Sequence, residues 1–121
     1  LPFCRDHEIG VIVHSPLAKG LLGGGYTADT TFPPDDERSQ SPVFQGDQFR
    51  HHLETVAKLD AFARDHGRSL VELAIAWTLA NPAVTSCIVG ARNPAHLDAH
   101  LKAAGWKLSD GDMHEIARLV A

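Results

Sequence analysis

Two stretches of this sequence run a short apolar segment directly into residues that can hold a phosphate. The first is Ile9-Gly-Val-Ile-Val13 followed by His14-Ser-Pro-Leu-Ala-Lys-Gly20; the second is Val84-Thr-Ser-Cys-Ile-Val89 followed by Gly90-Ala-Arg-Asn-Pro94. In the second, Asn93 is a good N-cap and Pro94 a good first helical residue. Free backbone N–H groups and the positive end of a helix dipole therefore face the Gly90 turn. Arg92 adds a permanent positive charge beside them. An anion held after a strand and before a helix, twice in one chain, is how a parallel α/β barrel builds a phosphate site from its last two strand-to-helix loops.

Other reactive groupings carry less. His96 and His100 share a helix face at i and i+4, a spacing that can grip zinc, but no third ligand joins them and no metal site is expected. Cys87 alternates with apolar neighbours and reads as a buried small hydrophobe, not a nucleophile. Ser15 lacks the Gly-x-Ser-x-Gly elbow and has no Asp and His spaced to complete a triad. Arg38 reads either as a cation closing a loop over a ligand or as a solvated loop charge.

The elements that must position these residues follow from pattern and punctuation. Residues 1 to 8 read as the tail of a helix, and Ile9 to Val13 as a buried strand too continuously apolar to have a solvent face. Residues 15 to 49 are rich in glycine, proline and charge, with Gly23-Gly24-Gly25 and Pro33-Pro34-Asp35-Asp36, and read as one long loop, either a functional lid or disordered. A helix over 51 to 66 carries Leu53, Val56, Leu59 and Ala63 on one stripe, with Gly67 placed to end it. Ser69-Leu-Val-Glu72 is a capping box opening a second helix that runs to Ala80 and is apolar on nearly every side. The strand 84–89 follows, then helices over 94–104 and 109–120.

The chain has 121 residues, 44% of them apolar, and a net charge of −4, enough for one packed unit and without the basic stripe that a nucleic-acid or acidic-membrane partner needs. Its longest apolar run, around Leu70 to Ala80, is too short to span a bilayer and is interrupted by Glu72. Cys4 and Cys87 suggest no disulfide framework, which fits a reducing, cytoplasmic setting. The chain begins Leu1-Pro2-Phe3, a start that reads as a cut. Two strands far apart in sequence are too few for a parallel sheet with both faces covered. A closed eight-stranded barrel needs about 250 residues. The fold class expected is therefore α/β, the final part of such a barrel: its last two strands with their helices.

At this point the residues resemble the aldo-keto reductases, essentially end to end against the C-terminal part of that family. The resemblance rests on Ile9-Gly-Val-Ile-Val-His-Ser-Pro-Leu-Ala-Lys-Gly-Leu-Leu22, Leu73-Ala-Ile-Ala-Trp77, Ile88-Val-Gly-Ala-Arg-Asn-Pro94 and Lys107-Leu-Ser-Asp110. It implies an eight-stranded (β/α) TIM barrel with two added helices, here 51–66 and 109–120. It also implies an oxidoreductase that reduces small-molecule aldehydes or ketones with NADP(H), bound without a Rossmann domain. By that resemblance Ser15, Pro16, Leu17, Ala18 and Gly20 would line the pyrophosphate and ribose, and His14 would lie against the nicotinamide. Gly90, Ala91, Arg92 and Asn93 would hold the adenosine 2′-phosphate, Arg92 by bidentate pairing.

The chain departs from the family's pattern after Pro94, where His96, Ala99 and His100 replace its usual adenosine-facing residues. The family's catalytic aspartate, tyrosine, lysine and histidine all lie on earlier strands, and Tyr26 follows the wrong strand to be the proton donor. No residue here is assigned to the chemical step, so the isolated fragment is expected to be inactive and to self-associate. A redox-sensing regulatory or binding subunit of the same barrel family, or a truncated non-enzymatic fragment, is the alternative reading.

Overall fold

The computed structural model describes residues 1–121. A short helix, α1 (Pro2–Asp6), precedes strand β1 (Ile12–His14). Three 3-10 segments, Ala18–Gly23, Glu37–Gln40 and Pro42–Phe44, lead to α2 (Gly46–Asp65) and α3 (Leu70–Ala80). Strand β2 (Ser86–Ile88) and helices α4 (Pro94–Ala104) and α5 (Asp110–Val120) complete the chain. The two strands pair in parallel, with Ile12 opposite Ser86, Val13 opposite Cys87 and His14 opposite Ile88. Parallel neighbours cannot be joined by a tight turn, and the crossover here contains both α2 and α3.

The strands are shorter than their apolar runs and are not buried on both faces. Ile12 is 66% exposed and Ile88 62% exposed, whereas Val13 and Cys87, opposite each other, are half-buried. Side chains alternate across a strand, so one face of the pair carries Val13 and Cys87 and the other leaves Ile12, His14, Ser86 and Ile88 open. The expectation of a strand without a solvent face fails because no layer of the chain packs over the face that carries Ile12 and Ile88. Preceding β1, Val11 still bridges to the other strand: its amide donates to the Thr85 hydroxyl at 3.1 Å and its carbonyl accepts from the Thr85 amide at 2.9 Å.

Of the two readings of the long loop, disorder is the one that the structure does not bear out. Residues 15–49 contain ordered turns, and Leu21, Phe44 and Phe49 form a small core of their own with Ala18, Tyr26, Phe32, Leu53 and Val56 around it. Helix α2 begins at Gly46, five residues before the expected start, because Gln45 offers no side-chain cap that would mark it. Helices α3, α4 and α5 start directly after the caps that the sequence shows, Ser69, Asn93 and Ser109. Gly67 sits at φ 67° beyond the end of α2, and its amide donates to the Arg64 carbonyl at 2.8 Å.

The larger core joins α2, α3 and α5 through Leu59, Ala63, Leu70, Leu73 and Ile116, with Phe62, Trp106 and Leu108 packed against it. Helix α3 is the centre of the chain: it also contacts α4, β2 and the Ala18–Gly23 turn, and buries Leu70, Leu73, Ala74, Ile75 and Ala76. Trp77 on the same helix is 51% exposed, so its apolar circumference is only partly covered. The start of α3 is held by the capping box read from the sequence. The Ser69 amide donates to Glu72 Oε2 at 2.8 Å, and the Glu72 amide donates to Ser69 Oγ at 3.2 Å. Burial pushes the Glu72 carboxyl up, but the Ser69 amide, Arg68 guanidinium and Ser69 hydroxyl outweigh it and hold the group below the ordinary glutamate range. A depressed carboxyl contributes stability that is fully present above its unfolded value and lost as pH falls through its folded one. The cap is therefore at full strength at neutral pH. Ser69→Ala is expected to destabilise the whole protein by about 1 kcal/mol, read as a lower urea midpoint at unchanged slope; an unchanged midpoint would show that the box does not hold α3.

Candidate functional site

Because β1 and β2 run the same way, the turns that follow them emerge on the same side. The two turns form one groove of ≈ 890 Å³. Of the residues expected at a cofactor site, His14, Ser15, Pro16, Leu17, Gly20, Gly90, Ala91 and Arg92 line it, while Ala18 and Asn93 do not. The site resolves into two halves, each built by a different local device.

The half after β1 is a left-handed turn. Ser15, Ala18 and Lys19 all have positive φ, at 56°, 47° and 57°, and Gly20 follows at 93°. A left-handed conformation costs a non-glycine residue about 1–2 kcal/mol, so this shape persists only where its surroundings hold it. Internal bonds supply part of that hold: the Ala18 amide donates to the Ser15 carbonyl at 3.0 Å, and the Gly20 and Leu22 amides donate to the Leu17 carbonyl at 3.0 and 3.1 Å. The amides of Leu17 and Lys19 make no hydrogen bond within the chain. Gly20 tolerates no side chain, since a Cβ there would lie 2.5 Å from the Tyr26 hydroxyl. His14 Nδ1 lies 3.0 Å from Ser15 Oγ, which steadies the imidazole at the end of β1.

The half after β2 is the start of α4. Asn93 caps it as the sequence indicates, its side-chain oxygen accepting the His96 amide at 3.1 Å, with Pro94 in the first turn. His96 Nδ1 in turn accepts the Arg92 amide at 3.3 Å, and the ring lies on the groove wall. The Gly90 and Ala91 amides make no hydrogen bond within the chain. His100 does not join His96. Its ring lines a separate cavity with Ile75, Leu79 and Cys87, with Nδ1 buried and unpartnered, so the two rings do not converge on one ion. Burial pushes the Cys87 thiol up, away from thiolate chemistry.

Three cations border the groove, and they differ in what they are free to do. Lys19 Nζ pairs with Glu37 at 3.1 Å. Arg38 is held by Asp36 through two bonds, Nε to Oδ1 at 2.9 Å and Nη2 to Oδ2 at 2.5 Å. That bidentate bond lowers the Asp36 carboxyl to about 2 and raises the guanidinium above its ordinary value, so both stay charged through the physiological range. The Arg92 guanidinium makes no ion pair or hydrogen bond within the chain and is exposed at the groove. An anion entering here meets one uncommitted positive charge.

The sequence reading did not place the outer wall, built from Lys19, Tyr26, Thr30, Thr31, Phe32 and Pro33. Phe32 anchors it: the Arg38 guanidinium lies 4.5 Å above the ring, and Tyr26 and Phe44 meet it edge-on at 5.4 and 5.3 Å. The clustering of Tyr26, Phe32, Phe44 and Phe49 in a polar segment was the available signal. The Tyr26 hydroxyl donates to the Lys19 carbonyl at 3.1 Å, which commits its proton to the backbone.

The profile of the Aldo/keto reductase family matches residues 1–121. The chain belongs to the aldo/keto reductase family. It is 36% identical over 117 residues to aldo-keto reductase YhdN of Bacillus subtilis (strain 168), covering 96% of this chain and 35% of that protein. It is 32% identical over 113 residues to aldo-keto reductase yakc [NADP(+)] of Schizosaccharomyces pombe (strain 972 / ATCC 24843), covering 93% of this chain and 33% of that protein. The NADH-specific methylglyoxal reductase of Escherichia coli (strain K12) is 32% identical over 120 residues, covering 97% of this chain and 36% of that protein. Among solved structures, the glycerol dehydrogenase AKR11B4 from Gluconobacter oxydans superimposes with a TM-score of 0.94 at 32% identity, over 100% of this chain and 37% of that one. This aldo/keto reductase chain thus spans about a third of the length of the curated relatives it matches. These relatives differ in the nicotinamide cofactor that their names carry, so membership of the family does not choose between the two forms.

Proposed function

We propose that the whole protein is an NADP-dependent oxidoreductase that reduces a small aldehyde or ketone, and that this chain is the C-terminal part of its eight-stranded barrel, carrying the dinucleotide site. The observation that supports this most is the joining of both turns in one groove at the ends of the paired strands, with Arg92 as its free cation. The groove residues fit the group in charge and shape: unpaired amides at Leu17, Lys19, Gly90 and Ala91 suit phosphate oxygens, and a fork-shaped guanidinium suits a terminal phosphate. In this reading Ser15, Pro16, Leu17, Ala18 and Gly20 hold the pyrophosphate and ribose, while His14 positions the nicotinamide. Gly90, Ala91, Arg92 and Asn93 hold the adenosine 2′-phosphate. The bound dinucleotide supplies the hydride. The proton that completes carbonyl reduction is assigned outside these residues, because the resemblance puts the family's donor on earlier strands and the one tyrosine at the groove spends its hydroxyl proton on the Lys19 carbonyl. A cytoplasmic setting belongs to the same reading, supported by two unbridged cysteines.

The cofactor choice rests on Arg92. In the whole protein, Arg92→Ala removes a charge-assisted contact of about 1.5–3 kcal/mol and is expected to weaken NADPH binding by roughly one to two orders of magnitude. NADH binding should hardly change. Fluorescence titration of both proteins with both cofactors reads this directly, and an equal loss for NADH and NADPH would place Arg92 outside the 2′-phosphate site.

Two expectations concern the 121-residue chain alone. It should show no consumption of NADPH with a reactive aldehyde such as nitrobenzaldehyde, since general acid assistance is worth about 10²–10⁴ in rate and the resemblance puts the family's proton donor on earlier strands; robust turnover by purified chain would sink the assignment of the chemistry to residues outside it. It should also self-associate, because the open sheet face with Ile12 and Ile88, together with Trp77 and Leu101, presents apolar surface to water. A stable monomer in sedimentation velocity, with a cooperative unfolding transition, would mean that the chain closes its own core.

A further inference from the structure

The strained turn after β1 is held from outside as well as from within. Arg38 stands where three constraints meet: Asp36 grips its Nε and Nη2, Phe32 lies beneath its plane, and Nη1 donates to the Tyr26 hydroxyl at 2.5 Å. The same Nη1 reaches the Lys19 carbonyl at 3.4 Å, and Tyr26 donates its own proton to that carbonyl. Lys19 is the second of the consecutive left-handed residues, and the next residue, Gly20, touches Tyr26 across its missing side chain. The guanidinium has no remaining freedom to swing toward an incoming phosphate while Asp36 holds it.

We propose that Arg38 is a positioning residue which, through Tyr26 and the Lys19 carbonyl, locks the Ala18–Gly20 turn in the shape that binds the dinucleotide pyrophosphate. The inference rests on the reading of that turn as a pyrophosphate site. It differs from a loop closing over the cofactor: Arg38 borders the groove but, held by Asp36, acts on the backbone and is not itself a ligand. The lock is built from side chains whose order in sequence hides it, since Tyr26, Phe32, Asp36 and Arg38 come from a segment without α-helix or strand.

The test uses the whole protein and three probes, NADPH, NADH and adenosine 2′-monophosphate, which lacks the pyrophosphate. Tyr26→Phe and Arg38→Met should each weaken NADPH and NADH alike by about tenfold, and the double variant should lose little more than either, as coupled partners do. Binding of adenosine 2′-monophosphate should stay within about twofold of wild type, which also shows that the variants are folded. Arg38→Lys should fail to rescue, because an ammonium cannot pair with Asp36 through two bonds and reach Tyr26 as well. Tyr26→Phe removes a single oxygen and keeps the test valid if Arg38→Met does not fold. Wild-type dinucleotide affinity in Tyr26→Phe overturns the proposal, as does recovery in Arg38→Lys, which would make Arg38 a direct phosphate ligand. Equal losses for all three probes overturn it too, showing a general loss of structure. Failure of the unaltered protein to bind any probe would instead overturn the reading of the groove itself.

Discussion

The parallel register of β1 on β2, with His14 opposite Ile88, decides where both turns come out of the sheet. Neighbouring strands lie about 4.8 Å apart, so residues separated by the whole α2–α3 crossover become the two walls of one groove. A shift of one residue would turn His14 to the other face and move the Gly90 turn along the strand. Everything else that shapes the groove, the capped α4 on one side and the left-handed turn on the other, is hung from these two three-residue strands. Their grip is extended by Val11, which exchanges bonds with Thr85 just before the ladder begins.

So short a ladder cannot hold a strained turn alone, and the segment from Tyr26 to Phe49 supplies the remainder. Its aromatic rings pack into a core with Leu21, on the far end of the turn, and its Asp36–Arg38 pair ties back to the Lys19 carbonyl. The turn is thus clamped at both ends by material that lies, apart from Phe49 at the start of α2, outside any strand or α-helix. The groove's charge follows from the same arrangement. Arg38 is spent on structure and Lys19 is shared with Glu37, so the cation left for a ligand is Arg92 on the opposite wall.

Much of this was legible in the residues, and the exceptions share a cause. Ser69 with Glu72, Asn93 with Pro94, and Gly67 announce helix ends because each acts on backbone groups within four residues, and the structure has all of them where expected. Both turns were legible for the same reason: a strand running into glycine, proline and a cap is a local pattern. The burial of β1 was misread because apolar continuity records the surroundings a strand is suited to, and here one neighbour and one covered face are present. The order of the 15–49 segment was not legible because it is tertiary. Phe32 and Phe44 meet at 5.3 Å without any period that a sequence could display.

The start of α4 shows how far a cap signal carries a functional reading. Asn93 and Pro94 imply a helix end with free amides, yet Asn93 itself takes the His96 amide and His96 takes the Arg92 amide. Pro94 has no N–H to offer. The cap that makes the helix therefore uses up the His96 and Arg92 amides, while those of Gly90, Ala91, Asn93 and Ala95 make no hydrogen bond within the chain. Recognition of a phosphate on this side then depends less on the helix dipole, which acts through the first turn at about 0.3–1 kcal/mol at an exposed site, than on the Arg92 fork and the two loop amides beside it. Charge-assisted bonds are roughly twice as strong as neutral ones, and this is why a single arginine, not the helix behind it, sets how strongly that wall can prefer a ligand with one more phosphate.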